Sequence, residues 1–225
     1  MFYTVGGATN ETSVMRKPAD GSSNAERLAT VDGEAYLTSA QGNTGILHFR
    51  EALSQLPATA QRLHLAAVDL SQTAKKVAPL IQGGASSMAG ALSPNGRLLA
   101  YGSDETGRPE VYVRDFPGLQ GRWQISTAGG QEPHWAPDGR ELYYRHNDLF
   151  MAVSVDTGAA FQASTPSVLF KGVYNVRDSS NQSYAVDPKG GRFLMIRSAS
   201  DDSERSRVRV VLNWSEELKQ RVPTR

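Results

Sequence analysis

The sequence predicts an all-β protein: an incomplete β-propeller of about four to five four-stranded antiparallel blades, with a short C-terminal helix. Three observations predict it. A proline-and-glycine turn recurs at Pro94, Pro137 and Pro188, positions 43 and 51 apart, near the roughly 40–50 residues of one propeller blade. The strand after each turn is apolar on both faces, and the strands around each turn follow in the same order.

The three copies read Ser93-Pro94-Asn95-Gly96-Arg97-Leu98-Leu99-Ala100-Tyr101, Ala136-Pro137-Asp138-Gly139-Arg140-Glu141-Leu142-Tyr143-Tyr144 and Asp187-Pro188-Lys189-Gly190-Gly191-Arg192-Phe193-Leu194-Met195-Ile196. Proline sets φ at the first corner of a turn, and glycine accepts the positive φ that closes the hairpin. Before each turn the chain is predicted to run as a short inner strand: Ala89–Leu92, Pro133–Trp135 and Ser183–Val186. After it, runs such as Arg97–Tyr101 lack the apolar–polar alternation of a half-wet strand, as expected for a sheet sandwiched between two others. Third strands follow at Glu110–Arg114, Leu149–Val155 and Arg207–Leu212. More polar outer strands follow at Arg122–Ser126 and Ser167–Lys171, in keeping with a sheet edge.

Upstream the pattern loosens. Met1–Val5, Ser13–Lys17 and Glu26–Leu28 read as the last three strands of a blade whose first strand is missing. Glu34–Thr38, Gly45–Arg50, Leu63–Val68 and Lys76–Leu80 form a complete blade, with Glu51–Gln61 as a loop carrying a helical turn. The chain thus reads as one unit, 1–225, with blades at roughly 1–30, 31–87, 88–130, 131–180 and 181–213. A helix at 214–222 is capped by Ser215, has Trp214, Leu218 and Val222 on one face, and is stopped by Pro223. Too few blades to close a ring leaves edge strands at Met1–Val5 and Arg207–Leu212 open to self-association.

Composition narrows the function classes. The 225 residues are 39% hydrophobic and 21% charged, with a formal net charge of +1 and scattered Lys and Arg, so no basic field favours nucleic acid. The chain contains no cysteine, which excludes disulfides and thiolate metal sites. No apolar run reaches the roughly 20 residues that span a bilayer. The N-terminus lacks the basic and apolar regions of a signal peptide. The four histidines, His48, His64, His134 and His146, show no zinc-binding spacing. No nucleophile elbow occurs; Gly84-Ala85-Ser86-Ser87-Met88 departs from it and reads as a turn. Asp104-Glu105 and Asp201-Asp202-Ser203-Glu204 lack the alternating oxygen pattern of a calcium loop. The sequence therefore predicts no catalytic residues, no metal and no cofactor. Tyr101, Trp123, Trp135, Tyr143 and Tyr144 fall on strands and read first as packing between blades, with a sugar platform as the alternative.

The first two turn copies resemble the TolB-type, WD-like propeller repeat. Arg16–Gly21, Gly107–Val113, Trp123–Gly130 and the ending Val210–Lys219 are similar to the propeller regions that follow the kinase domain of bacterial serine/threonine kinases. The kinase glycine-rich loop, catalytic loop and Asp-Phe-Gly segment are absent, so the resemblance implies no phosphoryl transfer. It implies instead a scaffold for protein or small-ligand binding, and a periplasmic setting of the TolB kind. Binding is expected where the inner strands begin, near 88–91, 130–135 and 181–186, with His134, Trp135 and Tyr184 as candidate binding residues. His134 has two readings, a packed ring or a ligand-binding one. The propeller gate of a serine peptidase and a carbohydrate-binding propeller are the alternatives.

Overall fold

The computed structural model describes residues 1–6, 11–50, 63–71, 80–81, 85–158, 160–174 and 182–196. All regular elements among them are strands, and every strand pair is antiparallel. The first sheet holds β1 (Phe2–Gly6), β2 (Glu11–Arg16) and β3 (Glu26–Asp32). The second holds β4 (Ala35–Gln41), β5 (Thr44–Arg50) and β6 (Leu63–Asp69). The third is four-stranded: β7 (Ser87–Leu92), β8 (Leu98–Ser103), β9 (Glu110–Asp115) and β10 (Arg122–Gln124). The fourth runs β11 (Gln131–Trp135), β12 (Glu141–His146), β13 (Leu149–Asp156), with β14 (Gln162–Ala163) and β15 (Ser167–Lys171) both on β13. β16 (Tyr184–Val186) and β17 (Phe193–Met195) begin a fifth. This is an incomplete β-propeller. The predicted helix 214–222, the strand Arg207–Leu212 and the loop Glu51–Gln61 lie outside the described residues.

The repeated turn is one structure built three times. Gly96, Gly139 and Gly190 adopt φ of 68°, 71° and 78°, and their N–H groups donate to Ser93, Ala136 and Asp187 carbonyls at 2.8, 2.9 and 2.7 Å. Asn95 and Asp138, after the proline, and Asp187, before it, each use a side-chain oxygen to accept the N–H two residues on. That mimicry of a backbone turn is why Asn and Asp stand there.

The stacking of sheets explains the apolar-on-both-faces strand. β8 is buried along its whole length. Leu98 and Ala100 pack with Trp135, Leu142 and Tyr144 of the fourth sheet, while Leu99 and Tyr101 pack with Ile46 and Leu65 of the second. Successive side chains of a strand point to opposite faces, so a strand between two neighbours needs apolar groups at every position. A buried Leu contributes about 1.5–3 kcal/mol over an exposed one. Tyr101, Trp135, Tyr143 and Tyr144 are all buried, and Trp123 packs on Phe161 with ring centroids 4.6 Å apart. These aromatics are core.

The inner strands adjoin one another: β1 lies beside β4, β4 beside β7 and β7 beside β11. This corrects the reading of Met1–Val5 as a second strand. β1 takes the innermost place, and among the described residues its sheet ends at β3. Outer strands are short and polar in this fold, so the sequence pattern could not tell a missing inner strand from a missing outer one. In the second sheet Leu80 N–H donates to Leu65 O at 2.7 Å, while Lys76–Pro79 lie outside the described residues. In the fourth, β14 and β15 pair with consecutive parts of β13. They form one outer strand broken at Ser164-Thr165-Pro166, where proline has no N–H to give a ladder.

Candidate functional site

Neighbouring inner strands belong to separate sheets, and side chains bridge them where backbone ladders do not. Thr38 Oγ1 donates to Gly90 O at 2.7 Å, Leu92 N–H to Ser39 Oγ at 3.0 Å, and Gln41 Nε2 to Pro94 O at 2.6 Å. The Trp135 indole N–H donates to Ala91 O at 3.0 Å. Gln182 Nε2 donates to Pro133 O at 2.9 Å. Four inner strands are thereby held around a cavity of about 330 Å³, lined from 38–41, 91–94, 134–137 and 182–188.

The cavity lies where the inner strands end and the repeated turns begin, and its wall takes in Ala91, His134, Trp135, Gln182 and Val186 from the segments the sequence suggested. Its rim carries Pro94, Pro137 and Pro188, the prolines of the repeat. Met88–Ala91 and Gln131–His134 each contain a β-bulge, and Ala89 and Glu132 in those bulges have φ of 51° and 55°. Both are fully buried.

Glu132 anchors a polar network that the sequence reading missed. Its Oε2 accepts from Ser183 N–H at 2.9 Å and from Ser183 Oγ at 2.5 Å. Arg145, 2% exposed, donates from Nη1 to the same Ser183 Oγ at 2.7 Å, and its guanidinium lies 5.4 Å from the Phe150 ring centre. Glu132 Oε1 and Arg145 Nε have no partner among the described residues. One signal was available: a carboxylate between Gln131 and Pro133 in a strand otherwise due for burial. Its partners, some fifty residues away, left no mark in the local pattern.

Of the three candidate binding residues, the structure brings His134 and Trp135 to the cavity wall. His134 Nδ1 lies 3.0 Å from Trp135 O. A carbonyl can only accept, so Nδ1 carries the proton and Nε2 is left as an acceptor. Burial holds this imidazole's pKa below the ordinary 6.5, opposed in part by the bond to the Trp135 carbonyl, which keeps the ring neutral at pH 7. Trp135 is 4% exposed, with its indole committed to Ala91. Tyr184 stands off the wall, its ring 5.9 Å from that of His134, and its hydroxyl donates to Glu132 O at 2.8 Å. Burial, then the Glu132 charge, holds the Tyr184 phenol far above its usual range. No cluster of three metal-ligating side chains occurs among the described residues. No helix among them is long and apolar enough to cross a membrane.

No family model matches the sequence, and no curated protein matches it. Solved structures do. TolB from Acinetobacter baumannii is 16% identical with a TM-score of 0.53, over 89% of this chain and 48% of that one. A puromycin-hydrolyzing peptidase of Mycobacterium tuberculosis is 17% identical with a TM-score of 0.52, over 87% of this chain and 35% of that one. An oligogalacturonate lyase in complex with manganese is 13% identical with a TM-score of 0.51, over 80% and 54%. The chain thus spans little more than half, or less, of each. What these likenesses show is the β-propeller fold. A peptidase and a lyase stand among them, so the likeness carries the fold and not an activity.

Proposed function

We propose that this propeller is a non-catalytic binding module whose axial cavity receives a protein partner or a small ligand. The observation that carries the reading is His134. Its ring is pinned by the bond to Trp135 O, and its Nε2 acceptor is left uncommitted at a preformed cavity. Small-molecule sites are commonly of this kind, concave and apolar with few fixed polar groups. The resemblance to kinase-associated propellers and to TolB supports a sensor or protein-docking role, in the lineage suggested by the Asn213–Lys219 ending. Burial of Tyr101, Trp135, Tyr143 and Tyr144, four of the five aromatics considered as a sugar platform, weighs against the carbohydrate reading. The test is partner capture from an extract of the producing organism by the wild type and by His134→Phe, with far-UV circular dichroism as the fold control. Capture should fall at least tenfold. A folded variant that captures the same partner unchanged removes the site.

A further inference from the structure

We propose that Asn95 is a site of spontaneous covalent modification. The turn of the third blade converts its own asparagine to an acid, with the Ser93 hydroxyl and the Arg97 N–H as the donors that assist the reaction.

Among the asparagines of the chain only Asn95 precedes a glycine, and glycine has no Cβ to obstruct closure of the preceding side chain on its nitrogen. Asn95 is exposed, so water reaches the amide and what forms from it. Its Oδ1 accepts from Arg97 N–H at 3.0 Å and from Ser93 Oγ at 2.7 Å. A backbone N–H can only donate, which fixes the amide oxygen on that side. The Ser93 hydroxyl in turn accepts from Leu98 N–H at 2.9 Å, which leaves its proton for Oδ1. Two donors thus already sit on the oxygen where negative charge develops when Cγ is attacked.

In the first step the Gly96 nitrogen bonds to Cγ of Asn95, its proton passes to water, and Oδ1 takes the charge. The Cγ–Nδ2 bond then breaks, Nδ2 takes up a proton and leaves as ammonia, and a succinimide remains. Water opens that ring. Attack at Cγ gives aspartate, and attack at the main-chain carbonyl gives the isoaspartyl linkage. Gly96 N–H is spent on Ser93 O at 2.8 Å, so the reaction draws on the turn with that one bond open.

The repeat separates Asn95 from its counterparts. Asp138 fills its place in the fourth blade, where Oδ1 accepts from Arg140 N–H at 3.0 Å and Gly139 has φ of 71°, close to the 68° of Gly96. The aspartate product therefore has a turn that accepts it. Ala136 stands where the third blade has Ser93, so of the three turn copies only the third blade's joins an amide to a hydroxyl donor. Conversion takes the formal net charge from +1 to zero. It adds a carboxylate to a groove that Asn95 lines together with Asp138, Arg140, Glu141 and Asp156.

The test is incubation of the full chain at pH 8 in heavy-oxygen water, followed by peptide mapping and ion-exchange chromatography. Asn95 should lose ammonia and gain one labelled oxygen, while Asn24, Asn43 and Asn147 keep their amides. The more acidic form should elute where Asn95→Asp does. Ser93→Ala, the residue of the fourth blade, should slow the conversion at least threefold. If that variant does not fold, Ser93→Cys, a weaker donor of similar shape, serves in its place. An Asn95 that keeps its amide, or conversion spread equally over the other asparagines, overturns the proposal. So does an unchanged or faster rate in the folded Ser93 variant, because the hydroxyl would then guard the turn and not assist the attack.

Discussion

Ala89 and Glu132 stand 43 positions apart at the same place in consecutive blades. Both sit in a bulge of the inner strand, both have left-handed backbone, and both are fully buried. One is a buried methyl group, and the other is a carboxylate tied to Ser183 of the fifth sheet. The backbone irregularity therefore belongs to the blade, while the side chain in it is free to serve the junction with the next blade. Ala91 and His134 repeat the lesson two residues on, at the cavity. On the inner strand the third blade is the plain form and the fourth carries the polar additions; the buried carboxylate of the third blade, Glu110, sits on β9 instead.

The largest effect that separates the two is expected at Glu132. Glu132→Ala removes the acceptor for Ser183 and leaves Arg145 a buried cation without a nearby anion, which should cost about 3–5 kcal/mol in urea unfolding. Ala89→Gly should change stability by less than about 1 kcal/mol, because relief of the left-handed strain, about 1–2 kcal/mol, offsets the lost burial of a methyl, about 0.8 kcal/mol. Equal losses at the two sites would show that the bulge alone, and not the network, needs its side chain.

Between these extremes lie the junctions. A Cβ on Gly90 would lie 2.7 Å from Ile46 Cγ2 and 3.0 Å from Leu65 Cδ1, so Gly90→Ala should destabilise by about 1–3 kcal/mol through overpacking. Trp135→Phe keeps most of the buried ring but leaves Ala91 O without its indole donor; a loss of about 1–2 kcal/mol is expected from denaturant midpoints. A neutral result would mean that the bond across the third and fourth blades is dispensable.

The smallest effect is in pH. The folded His134 ring takes up its proton below 6.5, the unfolded one near 6.5. As pH falls through 6.5 the unfolded state binds more protons than the folded one, so stability declines with acidification. His134→Gln, which cannot titrate, should show a shallower loss of melting temperature between pH 7.5 and 5. Identical slopes would remove His134 from the acid response.

Much of this was legible in the residues. Pro94-Asn95-Gly96 and its two copies announce their turns, because proline and glycine restrict or free φ within four residues. Strand order in the third and fourth blades was legible for the same reason, and Leu98–Tyr101 announces a strand with sheets on both sides. The innermost place of β1 was not, since its neighbour β4 is an inner strand of another sheet. His134 and Trp135 were rightly placed on an inner strand, but which of their atoms stay free depends on carbonyls that no local pattern reveals.

By itself, then, the sequence determined the architecture: an all-β propeller repeat, its turns, and the burial of both strand faces. These follow from φ preferences and from a two-residue period, forces that act within one hairpin. Only the tertiary structure decided the chemistry of the axis. Trp135 meets Ala91, Gln182 meets Pro133 and Ser183 meets Glu132 across 44, 49 and 51 positions. Partners so far apart are chosen by the stacking of whole sheets, and a hydrogen bond is spent or spared according to what that stacking brings within about 3 Å.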